Sequence, residues 1–146
     1  MMTSKINKRF ASVVVLAAVA FLPSCGSSRK PVYPVAGHVF LKHKPVAGAT
    51  VILHPVNAAP GDATKPAGKV DDQGEFKLTT YTQGDGAPEG DYVVTVEWRA
   101  PKRSPVDAYP IDRLQGRYSD PKTSTLRAHV DRQTAQLQPI ELGAKR

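Results

Sequence analysis

Lys69 to Trp98 reads KVDDQGEFKLTTYTQGDGAPEGDYVVTVEW, and this stretch decides the fold. It holds two β elements separated by turns. A tight Asp72-Gln73-Gly74 turn opens onto Glu75 to Thr80, and a Gly-rich bend opens onto Tyr92 to Trp98. In the second element Tyr92, Val94, Val96 and Trp98 alternate with Val93, Thr95 and Glu97, the period of two that gives a strand one buried face. Such a strand needs edge partners and a facing layer. The neighbouring sequence supplies further short strands and little else.

Working outward toward the N-terminus, Val35 to Leu41 is a strand with Val35, Val39 and Leu41 on one face and His38 and Phe40 on the other. Lys42 to Gly48 breaks it with Pro45 and Gly48, and Ala49 to His54 resumes with Val51 and Leu53 inward. Pro55 to Lys65 is an exposed connection rich in Pro, Ala and Gly, leading to a short strand at Ala67 to Val70. Gly74 supplies the positive φ that the following hairpin turn requires, and Phe76 and Leu78 then point into the core.

Toward the C-terminus, the 99–121 segment carries Pro101, Pro105, Pro110 and Pro121 without a sustained period and is expected to be a long crossing loop with one short helical turn near Asp112 to Leu114. Ser124 to Val130 restores alternation through Leu126, Ala128 and Val130. Gln136 to Leu142 is the last strand, with Ile140 and Leu142 inward and Pro139 placing it at a sheet edge. The expectation is an all-β, antiparallel sandwich of about seven strands over residues 34–143.

At 146 residues, with 13 Pro and 11 Gly, the chain suits one domain of short strands and many turns. Its formal charge of +7 overstates the basicity of that domain, because residues 1–24 contribute Lys5, Lys8 and Arg9 and no acid. The rest carries 17 basic against 13 acidic side chains, spread along the chain rather than gathered into a run. That distribution argues against a nucleic-acid partner. The lone Cys25 excludes an internal disulfide and lacks the companions of a zinc site.

The first residues read as an address. Lys5, Lys8 and Arg9 precede an apolar run from Phe10 to Leu22, too short for the ~20 residues that span a bilayer, so 1–24 is a helical signal peptide. Its ending, Leu22-Pro23-Ser24-Cys25-Gly26, resembles the lipobox of bacterial lipoproteins, with Pro23 where a small residue is more usual. The resemblance implies cleavage between Ser24 and Cys25, diacylglycerol on the Cys25 thiol, a further acyl chain such as palmitate, and a lipidated tether over 25–33, flexible from Gly26 to Pro31. Acyl chains at about 0.8 kcal/mol per buried CH₂ make such attachment effectively permanent. Gly26 is not the aspartate that retains some lipoproteins at the inner membrane, so the implied address is the cell envelope, with the outer membrane favoured.

Four pieces of the domain occur in a recognisable order: Val35-x-Gly37-x-Val39, Lys44-Pro45-x-x-Gly48-Ala49-x-Val51, Asp72-x-Gly74-x-Phe76-x-Leu78 and Gly90-x-Tyr92-x-Val94-x-Val96. Together they resemble the carboxypeptidase regulatory-like, or transthyretin-like, β-sandwich domains of secreted and lipid-anchored bacterial proteins. The likeness covers Pro34 to Trp98 well and the last two strands loosely, leaving the 99–121 loop without a counterpart. It implies a noncatalytic module that supports, spaces or binds. A hydroxyisourate hydrolase of related fold ends in Tyr-Arg-Gly-Ser, whereas this chain ends Leu142-Gly143-Ala144-Lys145-Arg146.

The residues that could carry chemistry are few. His38, His43, His54 and His129 lack HExxH spacing, although His38 and His54 are expected on neighbouring strands where a pair could take a metal. Asp71, Asp72 and Glu75, and separately Asp85, Glu89 and Asp91, offer the clustered oxygens calcium favours, but turn chemistry accounts for both groups. No metal or cofactor is therefore assigned. Trp98, Tyr109, Arg113, Arg117 and Tyr118 form the candidate recognition surface, because Tyr, Trp and Arg dominate interface hot spots. The partners expected are the membrane, through Cys25, and an envelope protein or glycan.

Overall fold

The computed structural model describes residues 29–60, 62, 64–99 and 111–143. The signal segment, Ser24, Cys25, Tyr109 and the rest of the 100–110 stretch of the expected loop lie outside them. The described chain is all-β: β1 (Ala36–Leu41), β2 (Lys44–Pro45), β3 (Thr50–Pro55), β4 (Ala67–Lys69), β5 (Glu75–Lys77), β6 (Gly90–Glu97), β7 (Arg127–Val130) and β8 (Ile140–Leu142). One sheet runs β2-β1-β5 with β8 also on β1, and the other runs β4-β3-β6-β7.

β6 anchors the second sheet as its alternation requires. It pairs with β3 from Thr50↔Glu97 to Pro55↔Tyr92 and with β7 from Gly90↔Val130 to Val93↔Arg127. Tyr92, Val94 and Val96 are buried, facing a core that includes Val39, Val51, Leu53, Phe76, Leu78 and Leu142. Each such side chain contributes on the order of 1.5–3 kcal/mol by leaving water. Thr95, on the opposite face, is buried too, and its hydroxyl is satisfied by His54 Nε2 at 2.9 Å.

Several connections differ from the sequence expectation. The Lys42–Gly48 break contains β2, folded back on β1 by a two-residue turn in which Lys42 (φ 51°) and His43 (φ 61°) both take left-handed conformations. The strands flanking Gly74 (φ 86°) part into different sheets, β4 onto β3 and β5 onto β1, and remain joined by a lone bridge between Ala67 and Thr79. The pairing is also not wholly antiparallel, since β8 runs parallel to β1, Val39↔Ile140 to Leu41↔Leu142. The chain leaves β7 and crosses to the other sheet beside Ala36, so its next strand must run the same way as β1.

The sandwich has two ends. β6 starts at Gly90 and its eight residues, at about 3.3 Å each, carry it roughly 25 Å to the other end. Near Gly90 lie Val56, Asp62, Pro88 and Glu89. Near Glu97 lie the β1–β2 turn, Ala47 and Trp98.

Residues 29–33, expected to belong to a free tether, dock at the Gly90 end. Tyr33 and Ala87 exchange both backbone hydrogen bonds, at 2.9 and 3.0 Å. The Lys30 amide donates to the Tyr81 hydroxyl (3.1 Å), and its ammonium pairs with Asp62 (2.5 Å). The Arg29 guanidinium lies 5.3 Å from the Tyr81 ring centroid.

Candidate functional site

The expected recognition residues gather at the Glu97 end, around Trp98. The half-buried indole packs on the core and donates from Nε1 to the Ala47 carbonyl at 2.9 Å. Its backbone amide donates to Asp112 Oδ1 at 3.0 Å, and the Arg113 guanidinium lies over the ring, 4.9 Å from its centroid. This is cation–π geometry.

Asp112 closes the base of the loop. Besides Trp98, its carboxylate accepts from the amides of Leu114 (3.0 Å) and Gly116 (2.8 Å), and Arg99 bridges to Asp112 in backbone register. Burial pushes the Asp112 carboxyl up, but the amides of Leu114, Gly116 and Trp98, with the charge of Arg99, together bring it below the usual carboxylate range. Residues 112–119 form successive turns rather than a free crossing. They lie along β6 because Arg113 donates to the Trp98 carbonyl and Val96 donates to the Tyr118 carbonyl.

Trp98 and Arg113 are thus in contact. Tyr118 acts elsewhere, on the C-terminal strand. Its hydroxyl accepts the Gly143 amide at 2.8 Å and its ring packs on the core, which fastens that strand in place. Arg117 is exposed on the same turns, and Tyr109 lies outside the described residues. Ile111, 79 % exposed beside Asp112, belongs to this surface and was not anticipated, because an isolated Ile in a Pro-rich stretch reads as ordinary filler.

A second concavity was not legible in the sequence. Between β7 and the segment leading into β8 is a groove of about 560 Å³ lined by Tyr92, Arg127, Ala128, His129, Leu137 and Ile140 among others. It forms where the edges of the two sheets diverge. The one hint in the sequence is Ala128, a small residue between the larger Leu126 and Val130. On its rim His129 Nδ1 lies 2.7 Å from Asp91, and that hydrogen bond holds the His129 pKa above its ordinary value.

The histidines do not converge. His38 and His54 are on different sheets, which overturns the expected neighbouring pair: His38 meets Gln136 (2.9 Å) and His54 meets Thr95. His43 pairs with Glu141 at 3.4 Å. The acids staple turns. Asp71 Oδ1 accepts the amides of Gln73 and Glu75, and Asp85 accepts those of Thr80, Tyr81 and Thr82. Among the described residues no three His, Cys, Asp or Glu side chains are arranged to hold a metal ion.

No family model matches the sequence, and neither a curated protein nor a solved structure matches it.

Proposed function

We propose that this chain is a lipid-anchored cell-envelope protein whose β-sandwich serves as a noncatalytic structural or protein-interaction module. The anchor rests on the leader and the Leu22-Pro23-Ser24-Cys25 ending. The transthyretin-like assignment rests on four ordered motifs from Val35 to Val96, and the two-sheet architecture is compatible with it.

The observation that carries the noncatalytic reading is the way polar side chains are spent. Asp71, Asp85 and Asp112 hold backbone amides of their own turns, and the four histidines each face a different partner. A hydroxyisourate-hydrolase-like site would need two histidines and an arginine together in one cleft. Labelled fatty acid supplied to expressing cells should be incorporated into the wild type and lost in Cys25→Ser. Unchanged labelling of that variant refutes the anchor.

A second reading, an envelope glycan- or peptide-binding module using the 99–121 loop, is favoured by the Arg113–Trp98 stack beside the exposed Ile111. Its test is recovery of partners from solubilised envelope with the wild type and with Arg113→Ala. Equal recovery counts against the loop surface.

A further inference from the structure

The end of the sandwich that holds Arg29 and Tyr81 is fixed to the chain by contacts made from Arg29, Lys30 and Tyr33. Gly86 makes the closest approach to this segment: its φ is +96°, and a Cβ there would overlap the Tyr33 carbonyl oxygen. The 29–33 strap is therefore built into the fold, with a glycine opposite it that leaves room for its backbone.

Chain length turns this docking into an orientation. If 25–33 were free, nine residues at about 3.4 Å each would reach roughly 30 Å, more than the roughly 25 Å length of β6. Such a domain could present either end, or its side, to the bilayer. With Arg29 docked, only four steps separate it from Cys25, a reach of about 14 Å. That is shorter than the sandwich, so the domain cannot turn over.

We infer that the end formed by Arg29, Lys30, Val56 and Tyr81 is a bilayer-facing surface, and that the Trp98 end is held outward, away from the lipid. This rests on the proposed lipidation of Cys25. The chemistry of that end fits a headgroup layer: Val56 is apolar and 52 % exposed, and Tyr81 presents an amphipathic ring with the Arg29 guanidinium against it.

The sole native thiol is consumed if Cys25 is lipidated, so reporter cysteines can be labelled singly in the full-length, processed protein. A fluorophore at Val56→Cys, exposed beside Asp91, and, separately, at Lys44→Cys in the β1–β2 hairpin is compared in phosphatidylethanolamine–phosphatidylglycerol vesicles carrying a headgroup nitroxide quencher. Given the short reach, the probe at 56 should be quenched about twofold or more beyond the probe at 44. Releasing the strap with Tyr81→Ala and Asp62→Ala should narrow that difference while fatty-acid labelling persists. Equal quenching of the two probes in the unreleased protein, with fatty acid still on Cys25, overturns the orientation and leaves the anchor standing. Absence of fatty acid together with fluorophore on Cys25 overturns both.

Discussion

Gly86 and Tyr33 are interlocked, the glycine Cα facing the tyrosine carbonyl with no room for a methyl group between them. The Gly86 amide is also committed, donating to the Leu78 carbonyl at 2.9 Å, so the backbone cannot withdraw. Gly86→Ala meets both a clash with backbone and a φ that L-residues rarely adopt, and is expected to cost about 3 kcal/mol in chemical denaturation. A loss below about 1 kcal/mol would show that the strap yields freely.

Phe76 fills the space two glycines leave. It is opposite Gly37 in the β1–β5 register, and a Cβ at Gly37 would stand 2.5 Å from the tip of its ring; one at Gly68 would be 3.1 Å from the ring edge. Because Phe76 is fully buried, its ring has nowhere to move. Gly37→Ala should cost on the order of 2 kcal/mol, and Phe76→Ala about 3–5 kcal/mol. In a Phe76→Leu background the Gly37→Ala penalty should shrink, and equal penalties in both backgrounds would rule out steric coupling between them.

The parts of this fold legible in the sequence are those where one residue type meets one physical demand. Tyr92, Val94 and Val96 alternate because one face of β6 is buried, and Gly74 stands where φ is positive. The β1–β2 turn was hidden because Lys42 and His43 take left-handed conformations usually given to Gly or Asn. The parallel β8 was hidden because strand direction follows from where the chain crosses between sheets, which no local pattern records. At the candidate site the residue types of Trp98 and Arg113 were readable. Their contact, and the use of Tyr118 as a fastener, depend on how 112–119 lies along β6.

Acid should loosen the loop staples at Asp85 and Asp112. The folded pKa values of Asp85 and Asp112 are below the ordinary 3.8, so the stabilisation they give is present above that value and lost as pH falls through the folded pKa. For Asp85, burial acts upward but the amides of Thr80, Thr82 and Tyr81 outweigh it. Thermal unfolding followed from pH 6 to pH 2 should show a shallower acid decline in Asp112→Asn than in the wild type (pH range about the carboxylate region). Identical slopes would remove Asp112 from the account.

His129 works in the opposite direction. Its hydrogen bond to Asp91 raises the pKa above 6.5, so its contribution is complete below 6.5 and fades as pH rises through the folded value. Both side chains are exposed and the effect is small and salt-screened. Proton NMR of the imidazole should report a raised midpoint that returns toward 6.5 in Asp91→Asn. A midpoint unmoved by that substitution rejects the pair.

Trp98 is the sole tryptophan, so its fluorescence reports the Glu97 end of the sandwich without interference. Trp98→Phe removes the Nε1 bond to Ala47 and leaves that carbonyl half-covered, a loss of about 1 kcal/mol. Arg113→Ala removes the guanidinium from the ring face, a loss of about 0.5–1 kcal/mol at an exposed site, and should shift the emission maximum and raise collisional quenching by iodide. If stability falls by that amount and partner recovery is unchanged, Arg113 is a lid on the core. If stability barely changes while recovery is lost, the stacked guanidinium is the contact. Emission and quenching both unaltered by Arg113→Ala would mean that the stack does not persist in solution.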